Sequence, residues 1–528
     1  MEFSIFLNKH GRFFAHAAHQ SGAVRGKSVA RLRSKSVCKP QAGVLGFQGV
    51  VRVVHAGWRN KDRAAFRGPR MNAPVGPVAS ERFARHALET RFEHLSADAV
   101  AQAKVFMLDT IGVGIAGSSA AGAEELSKVA AGWGGGADAT VWGRGKRVPA
   151  PTAAFLNGFQ AHCQEYDCVH EKAVLHPTAT LLPAAIAYAE RQGGISGREL
   201  LVAVAVAVDV AASLGVASRE GLKFFRPATA GGFGATAAIG RLAGFDAQTL
   251  CNAFGIQYGQ TSGTMQSHVE GSIVLPMQIG FNGRAAMNSC DIAATGLPGP
   301  RDVFEGPFGY MRLFEGTWDL QPTWDSLGKT WLVSELSHKP YPAGRATHGG
   351  VEGIMTLQAQ HRFAARDVAS VKVIGPALIK RLCGRPLVPA PNANYARLCM
   401  PFVGAKVLLH GKIDLAHYRG AELTDPATHE IAQRITMEAD DNPDPNALVP
   451  QQVVITLRDG SVLRWTCDIM LANPARRFTR EQHLAKFHRC LDFAQAPLRA
   501  GTGDKLIDLV DCLEQLADVR ELTEPLRT

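Results

Sequence analysis

The amino-acid sequence predicts a mostly α-helical protein: a large all-helical domain with a smaller α+β domain inserted before its last helices. Three observations support this fold class. Apolar side chains recur with a helical period over residues 80–300. After about residue 345, apolar and polar residues alternate as they do in strands. From Thr479 onward the pattern is again that of charged amphipathic helices. At 528 residues the chain exceeds one ordinary hydrophobic core, so two or more domains are expected.

The predicted helices of the first part are rich in alanine and glycine. They are Ala99–Gly117, Phe155–Tyr166, Thr180–Arg191, Glu199–Ala217, Gly234–Leu242, Ala247–Ser262 and Arg284–Gly296. Small side chains allow helices to approach, so this composition indicates helices packed closely against one another. The apolar run Leu201–Ala217 carries Asp209 at its middle and is short for a membrane span, so we expect a buried core helix.

The second part carries the strand signals. Its predicted strands are Val368–Ile374, Ile435–Ala439, Val453–Leu457 and Val462–Thr466. The last two flank Asp459-Gly460, a dipeptide that favours the tight turn of an antiparallel hairpin. A segment that mixes helices with a hairpin is typical of a small α+β domain.

The net charge of +10 belongs to the first 70 residues. They hold 14 of the 57 lysines and arginines with two acids, which leaves 43 basic against 45 acidic residues in the remainder. A near-neutral remainder gives little support for nucleic-acid binding. Residues 1–70 have the composition of a transit segment, or they precede a true start at Met71; both leave them outside the fold. We expect a cytoplasmic protein, or a mitochondrial one if the transit interpretation holds.

Several cofactor motifs are absent from the sequence. The segment GGFGATAAIG follows PATA rather than a strand, GRGKRV is not a phosphate-binding loop, and neither GxSxG nor HExxH occurs. The ten cysteines form no CxxC pair and no zinc-ligand spacing, which indicates free thiols. We therefore expect no metal and no nicotinamide or ATP cofactor.

Residues 162–176 form the densest polar cluster of the chain. If the preceding helix ends here, Glu165, Asp167, His170 and His176 surround one loop. An imidazole beside a carboxylate suits proton abstraction next to a substrate carboxylate, because it combines a base of near-neutral pKa with an orienting anion. The alternative is a solvated loop of mixed charge.

A second polar cluster spans residues 339–348. Lys339, Tyr341, Arg345 and His348 combine two cations, a phenol and an imidazole within ten residues. Arginine binds carboxylates in a bidentate manner, so this cluster suits a carboxylate clamp. A rigid basic turn is the alternative. Arg226, ahead of a glycine-rich stretch, is a further candidate contact, although a lone arginine is usually a surface residue.

Seven blocks of the sequence resemble one known family. They are LDTIGVGIAGS (108–118), AAFLNGFQAHCQEYD (153–167), HPTATLLPAAIAYAE (176–190), GGFGATAAIGRLAGFD (231–246), GRAAMNS (283–289), GLPGPRDVFEGPFGY (296–310) and KPYPAGRATH (339–348). In this order they resemble the 2-methylcitrate dehydratase and cis-aconitate decarboxylase (MmgE/PrpD) family over residues 75–515.

The resemblance implies a homodimer whose subunit has two domains. The helical domain is expected over residues 75–345 plus 480–528, and the α+β domain over 346–479. The resemblance also implies an active site between the domains that acts on a small polycarboxylate through side chains alone, with no metal or organic cofactor.

The resemblance also assigns individual residues. The family's two site histidines match His176 and His348, and its acids match Glu165 and Asp167. The chain departs from the pattern at three positions: Arg226 stands where many members have histidine, Gln278 where they have lysine, and Phe402 where some decarboxylases have tyrosine. These replacements change the groups that can donate protons and the charge around the ligand.

The expected reaction is elimination of water from a hydroxy-polycarboxylate related to citrate or 2-methylcitrate. His176, oriented by Asp167 or Glu165, is expected to remove the proton α to a carboxylate. His348 or Tyr341 is expected to protonate the leaving hydroxyl. The residues expected to bind the substrate are His170, Arg226, Gln278, Lys339 and Arg345. Epimerisation or isomerisation, decarboxylation by the same proton chemistry, and carboxylate binding without catalysis remain alternatives.

Overall fold

The computed structural model describes residues 77–527, together with the backbone of two short strands, β1 (Phe3–Leu7) and β2 (Phe13–Ala17). These strands pair antiparallel, with Phe3 opposite Ala17. The prediction that residues 1–70 are a leader otherwise lies outside the described residues.

The first part of the described chain is helical apart from two short antiparallel strand pairs, β3 (Ala139–Thr140) with β4 (Arg147–Val148) and β5 (Val169–His170) with β6 (Leu336–Ser337). Its helices are α1 (Ala79–Glu89), α2 (Ala97–Gly117), α3 (Ala123–Ala130), α4 (Ala150–His162), α5 (Pro177–Gln192), α6 (Gly197–Ala217), α7 (Arg226–Leu242), α8 (Ala247–Tyr258), α9 (Gln266–Glu270), α10 (Val274–Ala294) and α11 (Gln321–Ser326). Ser96 and Ser196 are the N-cap residues of α2 and α6, since the hydroxyl of each serine accepts a hydrogen bond from a backbone N–H of the first turn.

The central helices pack very closely. A Cβ added at Gly280 of α10 would come within 2.4 Å of a backbone oxygen of α4, that of Phe155. Only glycine permits this approach, which explains the small residues noted in the sequence. Helices α2 and α6 are long and apolar enough to cross a membrane, but 72% and 94% of their apolar windows are buried inside the protein. The prediction that Leu201–Ala217 is a buried core helix is confirmed.

The second part combines a sheet with further helices. The sheet has the order β10–β9–β7–β8, from β7 (Val368–Gly375), β8 (Ile435–Ala439), β9 (Gln451–Leu457) and β10 (Val462–Cys467). Strands β9 and β10 form the predicted antiparallel hairpin around Asp459-Gly460, and β7 and β8 run parallel. The helices are α12 (His348–His361), α13 (Ala377–Cys383), α14 (Ala393–Arg397), α15 (Met400–His410) and α16 (Pro426–Ala432).

The predicted fold class, mostly α with a smaller α+β part, is confirmed. Two hydrophobic cores correspond to the two parts, and the last helices, α17 (Arg480–Leu491) and α18 (Thr502–Asp511), add Phe487 and Leu506 to the first core. The second core includes Ala161, Val174 and Phe225 from the helical part. The chain thus returns to its first core at the end, while the residue bounds of the two domains stay a prediction.

Five predicted helix boundaries were wrong by four residues or more. Helix α7 begins at Arg226 rather than Gly234, and α10 begins at Val274 rather than Arg284. Helix α4 spans Ala150–His162 rather than Phe155–Tyr166, and α8 ends at Tyr258 rather than Ser262. In α7 the proline of the Arg226-Pro227 pair lies in the first turn, where a backbone N–H has no partner inside the helix and proline is therefore tolerated.

Candidate active site

A narrow cleft with a cavity volume of about 60 Å³ lies where the helical part meets the second core. The end of α4, the first turns of α5 and α7, α9 and the segment before α12 contribute to its wall. Its charged and imidazole side chains are His162, Glu165, His176, His268 and Arg345. A few polar groups in a mostly apolar wall are typical of a small-molecule site.

A short pair of strands joins the two polar clusters of the sequence. Strand β5 (Val169–His170) pairs antiparallel with β6 (Leu336–Ser337), and Val169 lies opposite Ser337. This pairing brings Lys339, two residues after β6, beside the acids that precede β5. The two clusters are therefore one site.

Glu165 has a backbone conformation that is rare for this residue type. Its φ is 49°, in the left-handed region, which costs of the order of 1–3 kcal/mol outside glycine. The Nζ of Lys339 donates a hydrogen bond of 2.6 Å to its carboxylate, and the Lys339 side chain is fully buried. This buried ion pair holds the carboxylate at the cleft, and such strained backbone is concentrated at functional sites.

Asp167 connects the two imidazoles of the cleft. Its Oδ2 lies 2.9 Å from Nδ1 of His162 and 3.2 Å from Nδ1 of His176. The two rings meet edge to face, with their centroids 5.0 Å apart. The Asp167 side chain has no exposed surface, whereas His176 keeps 15% of its side chain exposed. His176 is thus the more accessible of the two rings, whereas His162 is 1% exposed, with its buried Nε2 3.4 Å from Oε1 of Glu165.

The pKa values of the two carboxyl groups are lowered. Burial alone would raise the pKa of Glu165, but the Lys339 ammonium, His162 and then His176 lower it to about 2. Burial likewise opposes the charge on Asp167, yet His162 and His176, followed by Lys339, hold the pKa of this carboxyl well below its usual range. Both acids are thus ionised at neutral pH.

The pKa values of the two imidazoles shift in opposite directions. Burial disfavours the charged ring of His162, but the carboxylates of Asp167 and Glu165 outweigh burial and raise its pKa. At His176, burial and the nearby Lys339 ammonium outweigh Asp167 and lower the pKa. His162 therefore keeps its proton to a higher pH than His176, which is the order expected of an acid and a base.

Arg345 lines the cleft, but its guanidinium already has protein partners. Its Nε and Nη2 donate to Oε1 of Glu171 at 3.0 and 2.6 Å, and its Nη1 donates to the carbonyl of Leu471 at 2.9 Å. Nη1 also lies 3.2 Å from Nδ1 of His348, whose Nε2 lies 3.1 Å from the carbonyl of Ala343. Both nitrogens of His348 are thus occupied, and His348 does not line the cleft.

Tyr341 and His170 also lie outside the cleft wall. The ring of Tyr341 packs 5.2 Å from that of His348, and burial raises the pKa of its phenol to about 12. The Nδ1 of His170 accepts a hydrogen bond from the backbone N–H of Ala173, and burial lowers the pKa of His170 to about 4. The structure thus places both residues behind the cleft rather than against a ligand.

Arg226 and Gln278 are engaged within the protein. Nε and Nη2 of Arg226 donate to the carboxylate of Glu315 at 3.0 and 2.6 Å, and Nη1 donates to the carbonyl of Ala173 at 2.6 Å. The amide of Gln278 accepts from the backbone N–H of Thr264 at 2.6 Å and donates to its carbonyl at 3.3 Å. Neither residue lines the cleft.

Two family models together cover most of the chain. The model of the MmgE/PrpD N-terminal domain matches residues 81–323, and that of the MmgE/PrpD C-terminal domain matches residues 341–515. The chain belongs to the MmgE/PrpD family.

Named relatives match the chain over most of their length. Cis-aconitate decarboxylase of Mus musculus is 25% identical, over 85% of this chain and 93% of the relative. The enzyme of the same name from Homo sapiens is 24% identical, over 85% and 94%. The cis-aconitate decarboxylase-like protein oryM of Aspergillus oryzae is 26% identical, over 74% and 86%.

In this MmgE/PrpD protein, two cleft residues were missed by the sequence-based assignment of site residues. His162 belongs to the polar cluster, and its spacing from Asp167 across the end of a helix was a usable signal. His268 stands alone in an unremarkable segment, so only the folded chain brings it to the cleft. By contrast, His176, Glu165 and Arg345 line the cleft as members of the predicted set.

Two groups of side chains in the described chain have the donors for a metal ion. One is Asp109, His338 and His483, and the other is His162, Asp167 and His176. The second group is the cleft cluster itself. Its spacing allows a metal, but each of its two imidazoles already has the Asp167 carboxylate as a partner.

Proposed function

We propose that this MmgE/PrpD protein is a lyase that moves a proton beside a carboxylate of a small polycarboxylic acid. Its proposed reaction is elimination of water from a hydroxy-polycarboxylate related to citrate or 2-methylcitrate. The observation that carries the proposal is the pair of imidazoles on Asp167, His176 with a lowered pKa and His162 with a raised one, both lining one cleft.

In the proposed mechanism, neutral His176 removes the proton α to a substrate carboxylate. The electron pair left on carbon moves into the new double bond as the bond from carbon to hydroxyl breaks. Protonated His162 gives its proton to the departing hydroxyl, which leaves as water. Asp167 holds both rings and stabilises the positive charge that forms on His176. His162 thus takes the role that the sequence assigned to His348 or Tyr341.

The cleft also suits an anionic substrate. It is lined by His176 at the start of α5, by Phe225 and Pro227 at the start of α7, and by the segment 344–346 just before α12. Residues at the N-terminal ends of α5 and α7 thus line the cleft, and a helix N-terminus favours a carboxylate. They supplement Arg345, whose donors are already shared with the protein.

Decarboxylation is the second candidate, because the relatives reported above are named cis-aconitate decarboxylases. In that reaction the bond to the departing carboxylate breaks, CO₂ leaves, and protonated His162 delivers its proton to carbon. The two reactions differ in their proton chemistry: elimination removes an α proton and releases the hydroxyl as water, whereas decarboxylation releases CO₂ and adds a proton to carbon.

Product analysis tests the proposal and separates the two candidates. The purified protein is incubated with citrate, 2-methylcitrate, isocitrate and cis-aconitate, and the products are followed by NMR. We expect an unsaturated acid from a hydroxy acid. Release of CO₂ from cis-aconitate instead would support decarboxylation. Turnover of none of these acids, with binding retained, would contradict a lyase and favour a carboxylate-binding protein.

The rate should depend on pH in a bell-shaped manner. As pH rises, kcat/KM should increase when His176 loses its proton, at a pKa below the ordinary value of about 6.5, and decrease when His162 loses its own, at a pKa above that value. Because the two imidazoles interact, the two apparent pKa values of the pH profile describe the His162–His176 pair rather than either residue alone. His162→Gln should abolish the alkaline limb, whereas a profile that keeps both limbs in this variant would contradict the acid assignment.

The reaction should need no metal ion. This prediction rests on the imidazole–carboxylate chemistry above, and prolonged treatment with EDTA should leave turnover unchanged. Loss of activity that a divalent ion restores would contradict it. His162, Asp167 and His176 would then be reassigned as metal ligands.

A homodimer and a cytoplasmic location complete the proposal. The family resemblance supports the dimer, and the near-neutral charge after residue 70 is compatible with a cytoplasmic protein. Light scattering on the purified chain should give twice the 56.5 kDa subunit mass, and a monomer would contradict the first point.

A further inference from the structure

His268 lines the cleft and forms a pair with Arg385, which does not itself line it. Nη2 of Arg385 lies 3.1 Å from Nδ1 of His268. A guanidinium has donors only, so Nδ1 accepts the hydrogen bond and the proton of the neutral ring is on Nε2. Burial and then the Arg385 charge lower the pKa of His268 to about 3, which keeps the ring neutral near pH 7.

The Nε2–H group of His268 is available to a ligand. Among residues 77–527 it has no protein acceptor, and it is not one of the fully buried polar atoms. His268 as a whole is 6% exposed and lines the cleft. His268 therefore brings to the cleft wall a neutral ring whose Nε2–H has no partner among residues 77–527.

Arg385 is a cation without a carboxylate partner in the described part of the chain. Besides His268, its Nη2 donates to the carbonyl of Leu382 at 3.2 Å, and its guanidinium lies 5.0 Å from the ring of Tyr395. Its Nη1 is buried and has no hydrogen-bond partner. Arg385 is half-buried, so its charge has no carboxylate to balance it and would attract an anion bound beside His268.

We propose that His268 and Arg385 form a subsite for a second carboxylate of the substrate, which gives the cleft a preference for tricarboxylic over dicarboxylic acids. This inference rests on the proposed function, because it takes the substrate to be a polycarboxylate. His268 donates Nε2–H to the carboxylate, and Arg385 fixes the tautomer and supplies the positive charge behind it. Glu165, His162 and His268 all line the one cleft, so a small molecule bound there lies beside His268 as well as the proton-transfer residues.

Isothermal titration calorimetry tests the subsite with two matched acids. Propane-1,2,3-tricarboxylate and glutarate share one carbon chain and differ by the central carboxylate. We expect the wild type to bind the triacid at least about tenfold more tightly, the value of one charge-assisted hydrogen bond. His268→Phe and Arg385→Gln should each reduce this preference to about twofold or less. Arg385→Lys, which keeps the charge, should retain part of it.

The controls separate the possible failures. Arg366→Gln removes a charge from a side chain that is 88% exposed and should leave the preference unchanged. If Arg385→Gln does not fold, the triacid preference of His268→Phe is compared with that of His268→Gln. Glutamine keeps a hydrogen-bond donor at this position, whereas phenylalanine does not. An unchanged preference in the folded variants overturns the subsite alone. A wild type that binds neither acid overturns the proposed function as well.

Enzyme kinetics give an independent measurement once a substrate is found. Arg385→Gln should raise KM and leave kcat nearly unchanged, because the subsite holds the substrate and takes no part in proton transfer. A lower kcat at constant KM would contradict the assignment.

Discussion

Replacement of His176 by alanine is expected to lower turnover by about two to four orders of magnitude, which is the contribution of a general acid–base group. Binding of a polycarboxylate should change little, because the cleft and the carboxylate-binding groups remain in place. His176 keeps 15% of its side chain exposed, and its Nδ1 lies 3.2 Å from the fully buried Asp167. The measurement is kcat and KM on the substrate identified by product analysis, with Kd from calorimetry.

A matched control distinguishes catalysis from folding. His86 also has a carboxylate partner, with Nε2 2.9 Å from Oδ2 of Asp209, but lies on α1 and does not line the cleft. His86→Ala should lower the melting temperature and leave kcat unchanged. If His176→Ala also affects only the melting temperature, His176 is a structural residue and the base must be sought elsewhere.

Replacement of Arg226 by leucine is expected to destabilise the protein by about 3–5 kcal/mol. The guanidinium and Glu315 form a buried ion pair, with side chains 1% and 5% exposed, so the substitution leaves a buried carboxylate without its cation. Tyr310 donates a hydrogen bond of 2.9 Å to the same carboxylate but cannot neutralise it. The measurement is the midpoint of urea-induced unfolding, and affinity for polycarboxylates should stay within about twofold.

Two controls isolate the buried pair. The double variant Arg226→Leu with Glu315→Leu removes both charges and should recover much of the lost stability. Arg198→Ala breaks an exposed pair with Glu93, with side chains 54% and 67% exposed, and should cost less than about 1 kcal/mol. A stable Arg226→Leu variant with weakened polycarboxylate binding would instead support the substrate contact that the sequence indicated.

Local sequence patterns were sufficient for most helices and strands. Ala99–Gly117 and Glu199–Ala217 carry an apolar period, and serine caps fix their starts, so the predicted and observed helices nearly coincide. The start of α7 was missed because a run of glycines weakens the helix signal. In the folded chain a Cβ at Gly232 would approach Nε2 of Gln257 to 2.4 Å, so glycine there serves close packing.

The site could be predicted where its residues are neighbours in the sequence. His176 and Asp167 belong to one loop, and the imidazole–carboxylate pair was recognisable from residue types alone. The ion pair of Lys339 with Glu165 depends on the pairing of β5 with β6, which no local pattern reveals. The sequence predicted Arg226 as a substrate contact. Its partner in the structure, Glu315, lies 89 residues away along the chain, so the buried ion pair was not visible in the sequence.

Deuterium exchange measures the removal of an α proton by His176, which is the first step of the proposed elimination of water. The protein is incubated in D₂O with each citrate-like acid that it binds, and the hydrogens α to the carboxylates are followed by ¹H NMR. In at least one acid, the wild-type protein should exchange one such hydrogen for deuterium or remove it as the product forms. The His176→Ala variant should exchange or remove this hydrogen at least about a hundredfold more slowly. Equal exchange by the wild type and the variant, or no exchange in any acid that binds, would contradict the account.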